Sequence, residues 1–409
     1  MHTFDKICHT VGLALAALAA STCAYAPPAA ALAGLDKLRS YGELTTAAGS
    51  MDLDTYAYNL TTWQMPNGGW SKAHAALYAN PWDGKAALSS WTGTKGEPLG
   101  MYDNNATVQE MRLLAVRYKA TTNATYKSAF KASFNKAVGF VLASQLPNGG
   151  WPQVYPKRGN YSDLATYNDN AMLRVMVMVQ DIAAKKAPFD SDITAADSLT
   201  KLTTALNKAI DFTLKAQIVN AGKPTAWCQQ HDPLTYDPKA ARAYELPSKV
   251  ASESQPLVWF LMSLPQQTSQ VQSAVKGAIA WFKKTRTPDL KFGNGAFTAS
   301  PGASLWYRYY DVATDSFFFC DRDGVKTRVF STLSLERQTG YQWAGDYGSS
   351  ILSLEVPYLN ALGTTLIAAR PQARNVSTTN LVNPVLTNVL RNGPSGSGRI
   401  DVRGILHHH

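Results

Sequence analysis

The sequence predicts an all-α fold, a helical barrel or toroid whose long loops form a groove at one end. Three observations predict it. Seven segments carry apolar residues at three- and four-residue steps, the period of a helix with one buried face. The stretches between them, 63–101, 147–166, 221–255 and 285–330, are rich in Gly, Pro, Asn and aromatic residues. Loops of that length in a compact domain usually carry function. A seven-residue pattern also recurs, as expected of stacked helical hairpins.

Taken in order, segment 103–119 sets Ala106, Met111, Leu114 and Ala115 on one side, widened by Leu113 and Tyr118. Segment 124–146 continues with Tyr126, Phe130, Phe134, Val138, Val141 and Leu142. Segment 167–183 is a third. Segment 198–219 is a fourth, with Leu202, Leu206, Ile210 and Leu214. Two more run over 256–264 and 269–284, the second carrying Val271, Val275, Ile279 and Phe282, and 348–362 opens the last.

The repeat is Q-x-P-N-G-G-W, found at Gln64–Trp70 and again at Gln145–Trp151. Proline ends the preceding helix, Asn-Gly-Gly accepts positive φ, and tryptophan docks back onto the bundle. A weaker echo pairs Tyr102-Asp103-Asn104-Asn105-Ala106 with Tyr167-Asn168-Asp169-Asn170-Ala171. Each opens a predicted helix. Asp103 and Asp169 are therefore either N-caps or, brought to one rim by the repeat, a hard-oxygen site suited to Ca²⁺.

Composition excludes several classes. Hydrophobic content of 45% with 17% charged residues is globular, which rules out disorder and coiled coil. A net charge of +10 favours polyanionic partners. The basic residues are scattered without a nucleic-acid-binding signature, so nucleic acid is not expected as a partner. No later stretch is apolar enough to span a membrane. Residues 1–26 read as a secretory signal ending in Ala24-Tyr25-Ala26, which predicts a secreted or periplasmic protein. Residues 27–371 form the expected catalytic domain, and 372–409 an extension ending in the tract His407–His409. Cys228 and Cys320 remain in the mature chain, and an oxidising compartment leaves a bridge between them open. Only His74 and His231 remain outside the signal and the tract, too few for a histidine-based zinc site. No G-x-S-x-G pattern appears.

Arg242, Arg308, Arg322, Arg328 and Arg337 fall in or beside stretches dense in Tyr, Trp and Asp. Guanidinium forks match carboxylates bidentately, as a carboxylated substrate requires. Structural ion pairs, such as Arg322 with its flanking aspartates or Arg337 with Glu336, are the alternative.

Taken together, Q-M-P-N-G-G-W, Y-D-N-N-A-T, L-P-N-G-G-W-P-Q-V-Y-P, Y-N-D-N-A-M, W-C-Q-Q-H-D-P, A-R-A-Y-E, W-Y-R-Y-Y-D, R-D-G and E-R-Q-T-G-Y resemble the pectate lyases of polysaccharide lyase family ten, from about Met65 to Tyr358. The resemblance implies an (α/α)₃ barrel that cleaves de-esterified homogalacturonan, or polygalacturonate, by Ca²⁺-dependent β-elimination. It places Asp103 and Asp169, with Asn170 beside them, in the metal site. It makes Arg242 the essential arginine near the scissile bond, and Arg322 and Arg337 the clamps on galacturonate carboxylates, with Arg308 a further candidate. The same motifs supply groove candidates: Asn104, Trp70, Trp151, Tyr155, His231, Asp232 and Tyr341. A monomer is expected.

β-Elimination needs the C5 carboxylate neutralised, the C5 proton removed and the C4 oxygen stabilised. Ca²⁺, Arg322 and Arg337 meet the first demand. Arg242 as base requires neighbouring cations and partial desolvation to favour its neutral form, and an alkaline working pH. Two other classes stay in view. One is a glycoside hydrolase on acidic polysaccharide, with Glu245, Glu253 and Asp232 as its available acids, and the other a non-catalytic binder of acidic glycans.

Overall fold

The computed structural model describes residues 25–363. The first helices, α1 (Ala29–Asp36), α2 (Gly42–Ala48) and α3 (Leu53–Thr62), precede every helix expected from periodicity. They are short, and α3 announces itself chiefly by a cap, the Asp52 carboxylate accepting from the Thr55 amide. The body then runs α4 (Val108–Ala120), α5 (Ala124–Ser144), α6 (Ala171–Ala183), α7 (Ala196–Ala216), α8 (Ala251–Ser263) and α9 (Ser269–Thr285). Three short helices follow: α10 (Leu335–Thr339), α11 (Ser349–Ser353) and α12 (Glu355–Ala361).

The long helices form hairpins in two rows. α4 packs on α5, α6 on α7 and α8 on α9. The inner row, α4, α6 and α8, is buried over most of its surface. In α6 ten of thirteen residues are buried, which only a helix covered on every side tolerates. Its buried Asp181 is held by Arg112 and Arg39 at 2.9 Å each. The outer helices are one-sided: α7 buries Leu202, Ala205, Leu206, Ala209 and Phe212 and turns Lys201, Lys208 and Lys215 to solvent. α1 closes over α8. Three residues join α4 to α5 and five join α8 to α9, so the long connections gather at the end where the inner helices begin.

The expectation of an all-α (α/α)₃ barrel is overturned. Of the described residues 47% are helical and 14% lie in strands, distributed over six small sheets, so the class is mixed. The largest sheet element falls in 285–330, read from the sequence as loop. Strand Thr287–Gly293 turns at Asn294-Gly295 into strand Ala296–Tyr307, with Phe292 opposite Phe297. Both turn residues have positive φ, 52° and 69°, the geometry that Asn-Gly between apolar residues favours in a two-residue hairpin. That signal is local and has no helical period, so a search by periodicity passes over it. Two-residue strands stitch the other long loops together, among them Gly100–Met101 with Val154–Tyr155 and Ala165–Thr166 with Gln230–His231.

Other expectations also meet the structure here. Cys228 and Cys320 are both buried free thiols, so the bridge left open is not formed. The signal and the C-terminal extension lie outside the described residues, apart from Tyr25 and Ala26, where the Tyr25 hydroxyl donates to the Met262 carbonyl at 2.7 Å. No described helix is long and apolar enough to cross a membrane.

One buried group yields a stability prediction. Glu110 of α4 accepts from the Tyr78 hydroxyl through one carboxylate oxygen, and the other has no partner. Burial pushes its carboxyl up to about 8. Below the unfolded value near 4.5 both states hold the proton and nothing is lost. Between that value and 8 the unfolded chain is ionised while the folded one is not, and stability declines by about 1.4 kcal/mol for each unit that the pH rises. Glu110→Gln should therefore melt several degrees higher than wild type at pH 8 and at the same temperature near pH 4. Thermal melts at the two pH values check this.

Candidate active site

The Q-x-P-N-G-G-W repeat is a structural unit. Gln64 and Gln145 each donate through Nε2 to two carbonyls, Gly68 and Ser133 for the first, Gly149 and Ala205 for the second, at 2.8–2.9 Å. Gly68 and Gly149 have φ of 98° and 104°, and a Cβ at either would strike the backbone of the adjoining outer helix. Trp70 and Trp151 are wholly buried, their indole N–H groups donating to Leu60 and Val141 carbonyls. A third copy lacks the glycines but keeps the bonds. Gln217 donates to the Thr225 and Ala274 carbonyls, and Trp227 to that of Thr213.

The residue two places after Trp151, Trp227 and Trp306 meets the start of the inner helix that precedes it in the chain. The Gln153 carbonyl accepts from Tyr102 N–H, Gln229 from Tyr167 and Arg308, two places after Trp306, from Ala251. Gln153, Gln229 and Arg308 thus occupy one equivalent position, and Lys72 stands at the same offset from Trp70. Facing them are Asp103-Asn104-Asn105, Asn168-Asp169-Asn170 and Ser252-Glu253. Lys72 pairs with Asp103; Gln229 bonds Asn168 and Glu253, and Arg308 reaches Glu253 at 2.8 Å.

The echoed tetrads are superposable but their carboxylates are not equivalent. Asn104 and Asp169 share φ near 50°, Asn105 and Asn170 φ of 68° and 60°. Asp103 therefore matches Asn168, and Asp169 matches Asn104. Neither aspartate caps a helix: the residues preceding α4 and α6 are Thr107 and Asn170, and neither makes a capping bond. Both carboxylates instead line a cavity of about 160 Å³ with Lys72, Trp91, Asn104, Gln153, Tyr161, Asn168, Arg242 and Glu245. Burial raises the Asp169 carboxyl above its ordinary range, and neighbouring Glu253, Asp103 and Glu245 raise it further against the pull of Arg308. The Asn170 side-chain oxygen is buried without a partner.

The arginines divide into three situations. Arg242 forks onto Glu245 through Nε and Nη2, and this bonding raises its guanidinium pKa. The neutral form expected of a base is thus disfavoured by an anion where neighbouring cations were anticipated. Arg322 is exposed and forked onto Glu336 at 2.8–2.9 Å. Arg337 is buried, makes none of the ion pairs found among the described residues, and lies over the Tyr244, Tyr341 and Trp343 rings at 4.5, 4.2 and 4.8 Å. Arg308 is buried against Glu253 with Tyr341 over it.

Asp103, Asn104, Asp169 and Arg242 thus come together, with Asn170 adjoining and Tyr341 beside the buried arginines. Five groove candidates belong elsewhere. Trp70 and Trp151 are core. The buried His231 accepts the Cys228 amide proton at Nε2 and so donates from Nδ1 to Tyr236. Its neighbour Asp232 holds the amides of Leu234 and Thr235 in a turn. Tyr155 is half-buried, edge-on to Phe140. Sequence reasoning overlooked Lys72, Trp91, Gln153, Tyr161 and Gln229, and gave Glu245 and Glu253 only a hydrolase role. The offset of two from each tryptophan was the available signal for Lys72, Gln153 and Gln229.

The pectic acid lyase family model matches residues 64–352. No curated protein matches the chain. Among solved structures, the chain is similar to a mutant family 10 polysaccharide lyase from Cellvibrio cellulosa in complex with trigalaturonic acid. The identity is 36% and the TM-score 0.68, covering 79% of this chain and 98% of that one. A second structure of a family 10 polysaccharide lyase from Cellvibrio cellulosa matches at 36% identity and TM-score 0.66, covering 80% and 98%. The chain belongs to the pectic acid lyase family and is a polysaccharide lyase.

Proposed function

We propose that the protein is an exported pectate lyase that cleaves α-1,4 bonds of de-esterified homogalacturonan by Ca²⁺-dependent β-elimination. The observation that carries this reading is the meeting of Asp103, Asp169 and Arg242 at one cavity. The trigalaturonic acid bound by the Cellvibrio lyase supports a galacturonate substrate.

The residues fit a calcium ion. Two carboxylates line the cavity, and the carboxyl of Asp169 is raised in part by its acidic neighbours Glu253, Asp103 and Glu245. The Asn170 oxygen is unpartnered beside them. Among the described residues no three His, Cys, Asp or Glu side chains cluster closely enough to hold a metal alone. Asp103, Asp169 and Asn170 would therefore share it with the substrate carboxylate and water, as a hard-oxygen site allows. When bound, Ca²⁺ supplies positive charge beside the carboxylate on C5.

Arg337, buried without an anionic partner, takes a galacturonate carboxylate, and Arg322 takes another by exchanging its exposed Glu336. Arg308, committed to Glu253, holds that carboxylate in place. Arg242 removes the C5 proton once the incoming chain separates it from Glu245. The C5–H electron pair forms the C4–C5 double bond, the C4–O bond breaks, and water protonates the leaving oxygen.

Incubation with polygalacturonate should give product with the ultraviolet absorbance of a conjugated uronate. Chelator should abolish it, Ca²⁺ restore it, and Zn²⁺ leave it abolished. Saturated ends formed equally well in chelator would instead indicate hydrolysis.

A further inference from the structure

Between strands Pro238–Lys239 and Lys249–Val250 the chain passes through Arg242, Tyr244 and Glu245. Three guanidinium carbons lie over the half-buried Tyr244 ring: Arg242 at 4.9 Å, Arg322 at 5.0 Å and Arg337 at 4.5 Å from its centroid. They come from three separate stretches of sequence. Like charges so close repel one another, and something must gather them. Glu245 and Glu336 each neutralise one arginine, but they also occupy the N–H forks that a carboxylate ligand needs. The aromatic face attracts cations without occupying those forks. For Arg337, which has no carboxylate partner, Tyr244 forms one wall of an aromatic cage completed by Tyr341 and Trp343.

We infer that Tyr244 is a positioning residue that gathers Arg242, Arg322 and Arg337 on one ring and keeps their N–H forks free to exchange glutamate for the uronate carboxylates of the substrate. The inference rests on the polygalacturonate reading above. Arg337 is held by the ring, its cage and a single hydrogen bond from Nη2 to the Cys320 carbonyl at 3.4 Å, whereas the other two are held by the ring and a carboxylate that substrate displaces. Without the ring, the displaced arginines have no common anchor.

The test compares Tyr244→Phe, which keeps the π face, with Tyr244→Leu and Tyr244→Met, which fill space without one. Trigalacturonate affinity is measured by calorimetry in Ca²⁺, kcat and KM on polygalacturonate, and folding by thermal melt. The leucine variant should melt with wild type, bind trigalacturonate roughly tenfold more weakly and raise KM to match, with a further fall in kcat because Arg242 shares the ring. The phenylalanine variant should stay within about threefold of wild type in every constant. If leucine lowers the melting temperature, the methionine variant supplies the comparison. Wild-type constants in the variants without a π face overturn the inference, as does a phenylalanine variant as impaired as leucine, which would assign the effect to the hydroxyl. Wild-type protein that neither binds trigalacturonate nor forms unsaturated product overturns the functional reading itself, and the inference with it.

Discussion

Asp169→Ala should abolish most polygalacturonate cleavage while leaving the protein folded. The activity loss should be on the order of 10²–10³-fold in kcat/KM, the scale that follows removal of one group stabilising developing charge. Asp169→Asn should lose activity likewise and bind Ca²⁺ more weakly by calorimetry. Loss of a mere helix cap would instead cost about 0.5–2 kcal/mol of stability and leave turnover intact. An alanine variant that is less stable yet fully active would reduce Asp169 to a structural residue.

The outer helices α5, α7 and α9 were legible to within a few residues, because one-sided burial writes a period into the chain. α8 was legible only from residue 256: its first turn, Ala251–Gln255, carries Ser252 and Glu253 into the site and so reads as polar loop. The Asn294-Gly295 hairpin was legible in principle, but by turn chemistry and not by period. In the site, Asp103, Asp169 and Arg242 stood in distinctive motifs. Gln153 and Gln229 did not, because their common placement comes from a backbone bond to the inner helix before them, and Lys72 shares only their offset from a tryptophan. His231 and Asp232 show the converse error. A polar pair in a distinctive motif serves a turn and a backbone amide, and nothing in the residue types distinguishes that role from a groove wall.

Arg242→Lys should lose turnover on the order of 10²–10⁴-fold, the contribution of a positioned general base, with a much smaller change in KM. Lysine keeps the charge but not the fork that meets Glu245, nor the reach of the guanidinium. A residue that only binds substrate would give the reverse division, a raised KM with turnover intact. The pH–rate profile separates base from binder further. Bonding to Glu245 raises the Arg242 pKa, so any rate that depends on neutral guanidine must climb into the alkaline range. Glu245→Gln removes that anion and keeps the shape, so the rising limb of kcat/KM against pH, which reports the free enzyme, should move to lower pH. Glu245 lines the same cavity as Asp103 and Asp169, and calcium affinity measured alongside distinguishes loss of metal from a shifted base. A limb that stays in place in Glu245→Gln, at unchanged calcium affinity, would remove proton abstraction from Arg242. The same removal follows if Arg242→Lys keeps near-normal turnover. Arg337 is then the next residue to test, since its guanidinium is the buried one without an ion-pair partner in the Tyr244 cluster.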